Sequence, residues 1–176
     1  SAKAETAAAS GFSQLVQRAK DARDGNNLDQ AASLYTLALR QRPSWTEGWW
    51  YLGSIQYKQH RFAPALESFR RVSTLTPRRG AAFALMGLCE YELGQYTSAL
   101  KHLDRGGALG SGEDQELTPV ILYHVALLLT RLGEYERSSD QLAMFVAAGN
   151  HTSDTVIALG LCALRMPLVP SEIPTA

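Results

Sequence analysis

The sequence predicts an all-α protein built from antiparallel helix pairs stacked as repeats. Three observations carry that expectation. Within residues 46–77 (TEGWWYLGSIQYKQHRFAPALESFRRVSTLTP), Trp49, Leu52, Gly53 and Gln56 fall on one helix face, and Ala65, Phe69 and Val72 on another. The same pattern returns at one constant offset both upstream and downstream of that stretch. Hydrophobic content of 45% and charged content of 19% belong to an ordinary folded domain, not to a disordered chain.

The defining repeat explains itself residue by residue. Glycine inside a helix costs about 1 kcal/mol relative to alanine, so Gly53 marks a place where something approaches closely. Ala65 is the small residue expected to face it, with Trp49 and Phe69 filling the flanks. Ser44 and Glu47 fit a capping box at the start. Pro77 stops the second helix, because the residue before a proline avoids helical angles.

At the constant offset, Gly53 falls on Ala19 and Gly87, Trp49 on Leu15 and Phe83, Ala65 on Ala31 and Ala99, and Phe69 on Tyr35 and Leu103. Pro77 has its upstream match in Pro43. A further copy follows the third at a slightly longer offset, with Leu122, Val125, Ala126, Gly133, Tyr135, Ser138, Leu142 and Phe145 in register. One more shift by the original offset gives Val156, Leu159 and Gly160 first-helix roles and opens a fifth unit without a second helix. A hairpin that cannot bury its own flank must stack on a copy of itself.

In chain order, residues 1–11 read as an N-terminal linker, either left by signal removal or artificially added, since SAKAETAAAS is mostly small residues. The repeat domain spans 12–165, with repeats at about 12–45, 46–79, 80–118 and 119–152 and a closing helix at 153–165. Asn27 and Gln30 form a capping box inside the first repeat. The third repeat closes near Arg105. Residues 106–116 (GGALGSGEDQE) then read as a linker that accounts for the longer offset. Their glycines lack the spacing of a phosphate-binding loop. Thr118 and Pro119 are expected to restart the chain as N-cap and first-turn proline. Asn150-His151-Thr152 spells a glycosylation triplet, which matters only in a eukaryotic secretory setting. The closing helix is apolar almost all round and must be covered by the tail, a second copy or further repeats of a longer protein. Pro167, Pro170 and Pro174 make residues 166–176 an extended tail, read as a linker to further repeats in preference to an SH3 ligand.

An aromatic, Leu-Gly and a second aromatic, followed by alanine, aromatic and proline over about 34 residues, resemble the tetratricopeptide repeat family. The resemblance covers residues 12–165 and is most specific in residues 46–77. Arg18 departs from it where Leu52 and Met86 sit, Gly106 where Ala38 and Val72 sit, and Ser111 and Asn150 replace prolines. The resemblance implies a right-handed superhelical solenoid of about four helix pairs plus a C-terminal helix. It also implies a concave groove lined by the first helix of each pair, and a role in holding other polypeptides.

Composition narrows the alternatives. Seventeen basic and seventeen acidic residues cancel, which removes any bulk attraction to nucleic acid or anionic membrane. No apolar run approaches the roughly 18 residues of a membrane span. Cytoplasmic and exported locations stay equally open. Cys89 and Cys162 occupy the same place in repeats three and five, too far apart in a stacked array to pair, and read as small buried residues. His60, His102, His124 and His151 have no partner at metal-ligand spacing, and HExxH, CxxC and GxSxG are absent. Paired carboxylates such as Glu90 and Glu92 sit at helix ends, where solvent explains them. No catalytic residues, metal or cofactor are expected.

The resemblance places the groove-facing set at Val16, Lys20 and Arg23 in repeat one, Glu47, Trp50, Ser54 and Tyr57 in repeat two, Ala84, Leu88 and Tyr91 in repeat three, and Tyr123, Leu127 and Thr130 in repeat four. Apolar and aromatic anchors on one open face suit an extended or helical segment of a protein or peptide, with Lys20, Arg23 and Arg131 reading its acidic groups. Chaperone-binding members of the family clamp a C-terminal carboxylate with Lys, Asn and Arg. Here only Lys20 fits, because Ser54 and Leu88 stand where amides are wanted. The alternative is a self-association or assembly module within a longer protein, forming a homo-oligomer through Ile157, Leu161 and Leu164 of the closing helix.

Overall fold

The computed structural model describes residues 2–112, 114–150 and 153–165. Among them every regular element is helical: α1 (Ala2–Asp24), α2 (Leu28–Gln41), α3 (Thr46–Lys58), α4 (Phe62–Leu75), α5 (Gly80–Glu92), α6 (Tyr96–Leu109), α7 (Leu117–Arg131), α8 (Tyr135–Ala147) and α9 (Ser153–Ala163). The chain forms two compact units, Ser1–Pro77 with α1–α4 and Arg78–Ala176 with α5–α9. In the first, α1 packs on α2, α2 on α3 and α3 on α4. In the second, α5, α6, α7, α8 and α9 pack in the same sequential way.

The turn inside each helix pair repeats to the level of single hydrogen bonds. Asn26, His60, Gly94 and Gly133 all adopt left-handed backbone angles, with φ of 57°, 56°, 74° and 75°. The amide after each of them bonds back to the helix it has just left: Asn27 to the Ala22 carbonyl, Arg61 to Gln56, Gln95 to Glu90 and Glu134 to Leu129. The left-handed residue itself makes a second, shorter-range bond, as from His60 to Tyr57 and Gly133 to Thr130. This is the Schellman arrangement, which satisfies the carbonyls a helix end would leave bare. The left-handed residues are evenly spaced until the last, which comes late, as the sequence register predicts.

Close approach is the second shared device, and its geometry differs in detail from expectation. A Cβ added at Gly53 would lie 2.9–3.1 Å from atoms of the Phe69 ring. The large residue of the second helix, not Ala65, sits nearest the vacant space. At Gly87 an added Cβ would lie 2.7 Å from Leu103 Cγ and 3.0 Å from the Ala99 carbonyl oxygen. There both the large and the small partner of the register close in. Ala19 with Tyr35, and Ala126 with Leu142, share the two core clusters at the same positions. Gly106 turns out to be structural: an added Cβ would meet the Ala84 amide nitrogen at 2.8 Å. Helices α5 and α6 therefore approach closely at both ends.

Repeats two and three each carry a polar bridge within the helix pair. Ser68 donates to the Gln56 side chain at 2.7 Å, and His102 Nδ1 lies 2.6 Å from Glu90 Oε2. Glu90 is only 3% exposed, so the reading of it as a solvated carboxylate is corrected. Burying a carboxylate is costly unless it is paired, and His102 supplies that partner.

Local boundaries need further corrections. The first helix begins at Ala2, so the stretch expected as a linker is helical. Residues 106–109, expected as linker, form the last turn of α6. Helix α7 begins at Leu117 behind Glu116, and the Thr118 hydroxyl pairs with that of Ser111 at 2.9 Å instead of capping. The N-cap of α3 is Trp45, without a side-chain cap bond, so Ser44 plays no such part. Asn27 does cap α2, accepting from the Gln30 amide. Both cysteines are buried thiols, and burial pushes Cys89 up to about 12. His151, Thr152 and the tail expected at 166–176 lie outside the described residues.

Candidate partner-binding surface

Two first helices of the second unit, α5 and α7, bring together side chains that are far apart in sequence. Tyr91 from α5 meets His124 from α7 edge-on at 5.0 Å, and Tyr123 meets the same imidazole at 4.8 Å. Tyr96, the first residue of α6, packs against Tyr91 at 5.8 Å. The Arg131 guanidinium lies 4.3 Å over the Tyr96 ring. Tyr91, Tyr123 and His124 are half-buried, while Tyr96 and Arg131 are exposed. The cluster is an aromatic surface with a cation at its edge, held by ring-on-ring packing before any ligand arrives.

Burial holds Tyr91, Tyr123 and His124 in their neutral forms. Burial raises the Tyr91 phenol above its ordinary value and pushes Tyr123 up to about 12. Burial lowers His124, against the opposing effect of its bond to the Val120 carbonyl. That bond, 2.8 Å from Nδ1, puts the ring proton on Nδ1, because a carbonyl can only accept.

The first unit carries its own aromatic face. Trp50 is half-buried and packs edge-on against Phe69 at 5.6 Å, and Tyr57 meets Phe62 at 5.4 Å. Lys20 is exposed. Arg23 is already engaged: it lies 4.3 Å over the Tyr51 ring, pairs with Asp24 at 2.9 Å and donates to the Tyr35 hydroxyl at 3.4 Å. The Ser54 hydroxyl is also spent locally, donating to the Trp50 carbonyl at 2.9 Å.

Four expected contact residues are corrected. Ala84, Leu88 and Leu127 are 0%, 3% and 2% exposed, and Thr130 is buried with its hydroxyl donating to the Leu127 carbonyl. Leu127 belongs to the core with Ala126, Leu142, Ala158 and Cys162, and Tyr91 and Tyr123 pack on that core from outside. The leucine supports the surface from beneath. Sequence reasoning did not single out His124 or Tyr96 for it. The repeat register sets Tyr96 on Phe62, but no periodicity argument reveals which rings meet across repeats.

Helix α9 is two-faced. Ala158 and Cys162 are buried against α8, while Ile157, and Leu164 just past the helix end, are 53% and 71% exposed; Leu161 is half-buried. Among the described residues no helix is long and apolar enough to cross a membrane, and no three His, Cys, Asp or Glu side chains converge as metal ligands would.

Sequentially packed helix pairs with one turn geometry at one register define a helical-repeat protein. The family model described as tetratricopeptide repeat matches residues 16–78 and again 52–114. Together these span more than half of the 176 residues, and the chain belongs to the tetratricopeptide repeat family. A comparison with curated proteins gives no match. Among solved structures, the MamA protein superposes with a TM-score of 0.77 at 17% identity, covering 88% of this chain and 81% of that one. YrrB, described as a TPR protein with an unusual peptide-binding site, gives 0.72 at 19% identity, covering 85% and 75%. A tetratricopeptide repeat protein from Parabacteroides merdae gives 0.71 at 18%, covering 88% and 59%. At these identities the likeness establishes the fold, an all-α helical-repeat solenoid. Members of the family are typically non-catalytic, and the fold is a scaffold for protein–protein interaction.

The lowered His124 yields a pH prediction. The folded chain keeps this ring neutral where the unfolded chain protonates it, so below about pH 6.5 the unfolded state binds more protons. Stability then falls as pH drops. The variant His124→Phe is expected to flatten the decline of Tm between about pH 7 and pH 5. Calorimetry showing the same slope in both proteins would contradict this.

Proposed function

We propose that this chain is a non-catalytic scaffold that holds a peptide or protein segment on the aromatic faces of its first helices. The observation that carries the reading is the cluster of Tyr91, Tyr123, His124 and Tyr96 with Arg131 at its edge. Rings already packed against one another lose little side-chain freedom when a ligand arrives, which is why aromatic and arginine residues dominate binding energies. The neutral rings favour apolar anchors, and Arg131 favours an acidic group beside them. Trp50 and Tyr57, with Lys20 and Arg23, form a second contact region in the first unit. That YrrB is described by a peptide-binding site supports a peptide as the ligand.

A displayed library of random dodecapeptides supplies the test. Selected peptides are expected to combine large apolar residues with Asp or Glu, and Tyr91→Ala or Trp50→Ala to weaken them by about fivefold or more, the effect of losing about 1 kcal/mol. Exposed Lys101→Ala on α6 serves as the control. Binders that ignore both aromatic substitutions in folded protein would remove these faces from the account.

The exposure of Ile157 and Leu164 favours a second reading, self-association through α9. It predicts a sedimentation coefficient that rises with protein concentration and stops rising in Leu164→Asp. A single concentration-independent species for the unaltered chain would exclude it.

A further inference from the structure

A cleft of about 350 Å³ lies in the second unit between α6, α7 and α8. That volume is at the lower end of those that bind small ligands and single anchoring side chains. Its floor is aliphatic, from Leu103, Ile121, Leu122 and Val125. Its wall is kept low by Gly107, whose absent Cβ would stand 3.6 Å from Ile121 Cγ2. Met144 at the rim is 55% exposed, an unbranched thioether side chain suited to adapting around a ligand. The cleft uses the side of α7 opposite the one bearing Tyr123 and His124, because Ile121, Leu122 and Val125 cluster about half a turn away from them.

Asp104 is the one charged residue lining this cleft among the described residues. Asp104 is exposed at the rim; desolvation beside the cleft raises its carboxyl above the ordinary carboxylate value, with Arg137 opposing that effect and Glu134 adding to it. The Arg137 guanidinium is itself committed to Glu134 in an ion pair. Among the described residues no hydrogen bond or ion pair is formed by the Asp104 carboxylate. An aliphatic floor with a carboxylate free to accept at its rim has a defined complement: an apolar stem ending in a cation.

We propose that this cleft is a second recognition site, taking a basic-apolar segment of a partner protein that lays an aliphatic side chain on the floor and sets a neighbouring Lys or Arg on Asp104. The site is independent of the aromatic faces. Its ligand is basic where theirs is acidic, so one chain can hold two unlike segments at once.

Two blocked tripeptides test the proposal, N-acetyl-leucyl-lysyl-leucinamide and its glutamyl counterpart, titrated into the isotope-labelled full chain and followed by amide chemical shifts. The lysyl peptide is expected to shift residues 103–108 and 121–125 and to bind about fivefold tighter than the glutamyl one, the range of a partly exposed charge pair. Asp104→Asn is expected to erase that preference while leaving weak binding of both. Gly107→Leu, which lays a side chain over Ile121, is expected to abolish both. Equal binding of the two peptides, a preference that survives in Asp104→Asn, or shifts confined to other residues would each overturn the proposal.

Discussion

The fold depends on one steric constraint, repeated: a small residue in the first helix of each pair lies under a large residue of the second. Gly53 lies under Phe69 and Gly87 under Leu103, each with no room for a further carbon. Ala19 and Tyr35, and Ala126 and Leu142, take these places in repeats one and four. Backbones that approach this closely can be joined by a short turn, and the left-handed residue at each turn supplies it without leaving carbonyls unsatisfied. The constraint acts through packing, which is sensitive to single methylene groups because interiors are as dense as organic crystals.

The proposed function follows from what the constraint leaves over. Once one stripe of each first helix is committed to its partner, the adjacent stripe carries Trp50, Tyr57, Tyr91 and Tyr123. These side chains are held by neighbouring rings yet still half in water. A rigid, half-buried aromatic face suits the capture of flexible segments, because most of its ordering cost is met in folding. The same logic produces the cleft beside Asp104. There Gly107 leaves room beside Ile121, at the position that carries Ser73 in the register of repeat two.

The architecture was legible because periodicity is a property of many residues at once. Gly53 recurs as Gly87 with its aromatic and alanine partners, and Gly94 as Gly133 with Tyr96 and Tyr135 following them, so a regular offset exposes the whole set. What sequence could not supply was local and depended on partners. Glu90 reads as a solvated helix-end carboxylate until His102, on the next helix, is found against it. Residues 106–109 look like a flexible glycine linker, yet the tight meeting of Gly106 with Ala84 makes glycine the residue that lets the helix continue. Leu88 and Leu127 have the right helical phase for the groove but are covered, since phase gives a direction and not the depth of what lies there. His60 shows the reverse: a non-glycine residue adopts the left-handed turn because the repeat demands it.

The glycine positions facing the second helix are forced by packing and are not incidental. Chemical denaturation of Gly87→Ala against Gly11→Ala tests it most directly, because both glycines lie within helices and only one is enclosed. Alanine at position 11, which would meet nothing within 4 Å, should stabilise by about 0.5–1 kcal/mol through helix propensity alone. The same change at Gly87 should destabilise by about 1–3 kcal/mol, since overpacking against Leu103 and the Ala99 carbonyl outweighs that gain. Stabilisation of both variants alike would contradict the account.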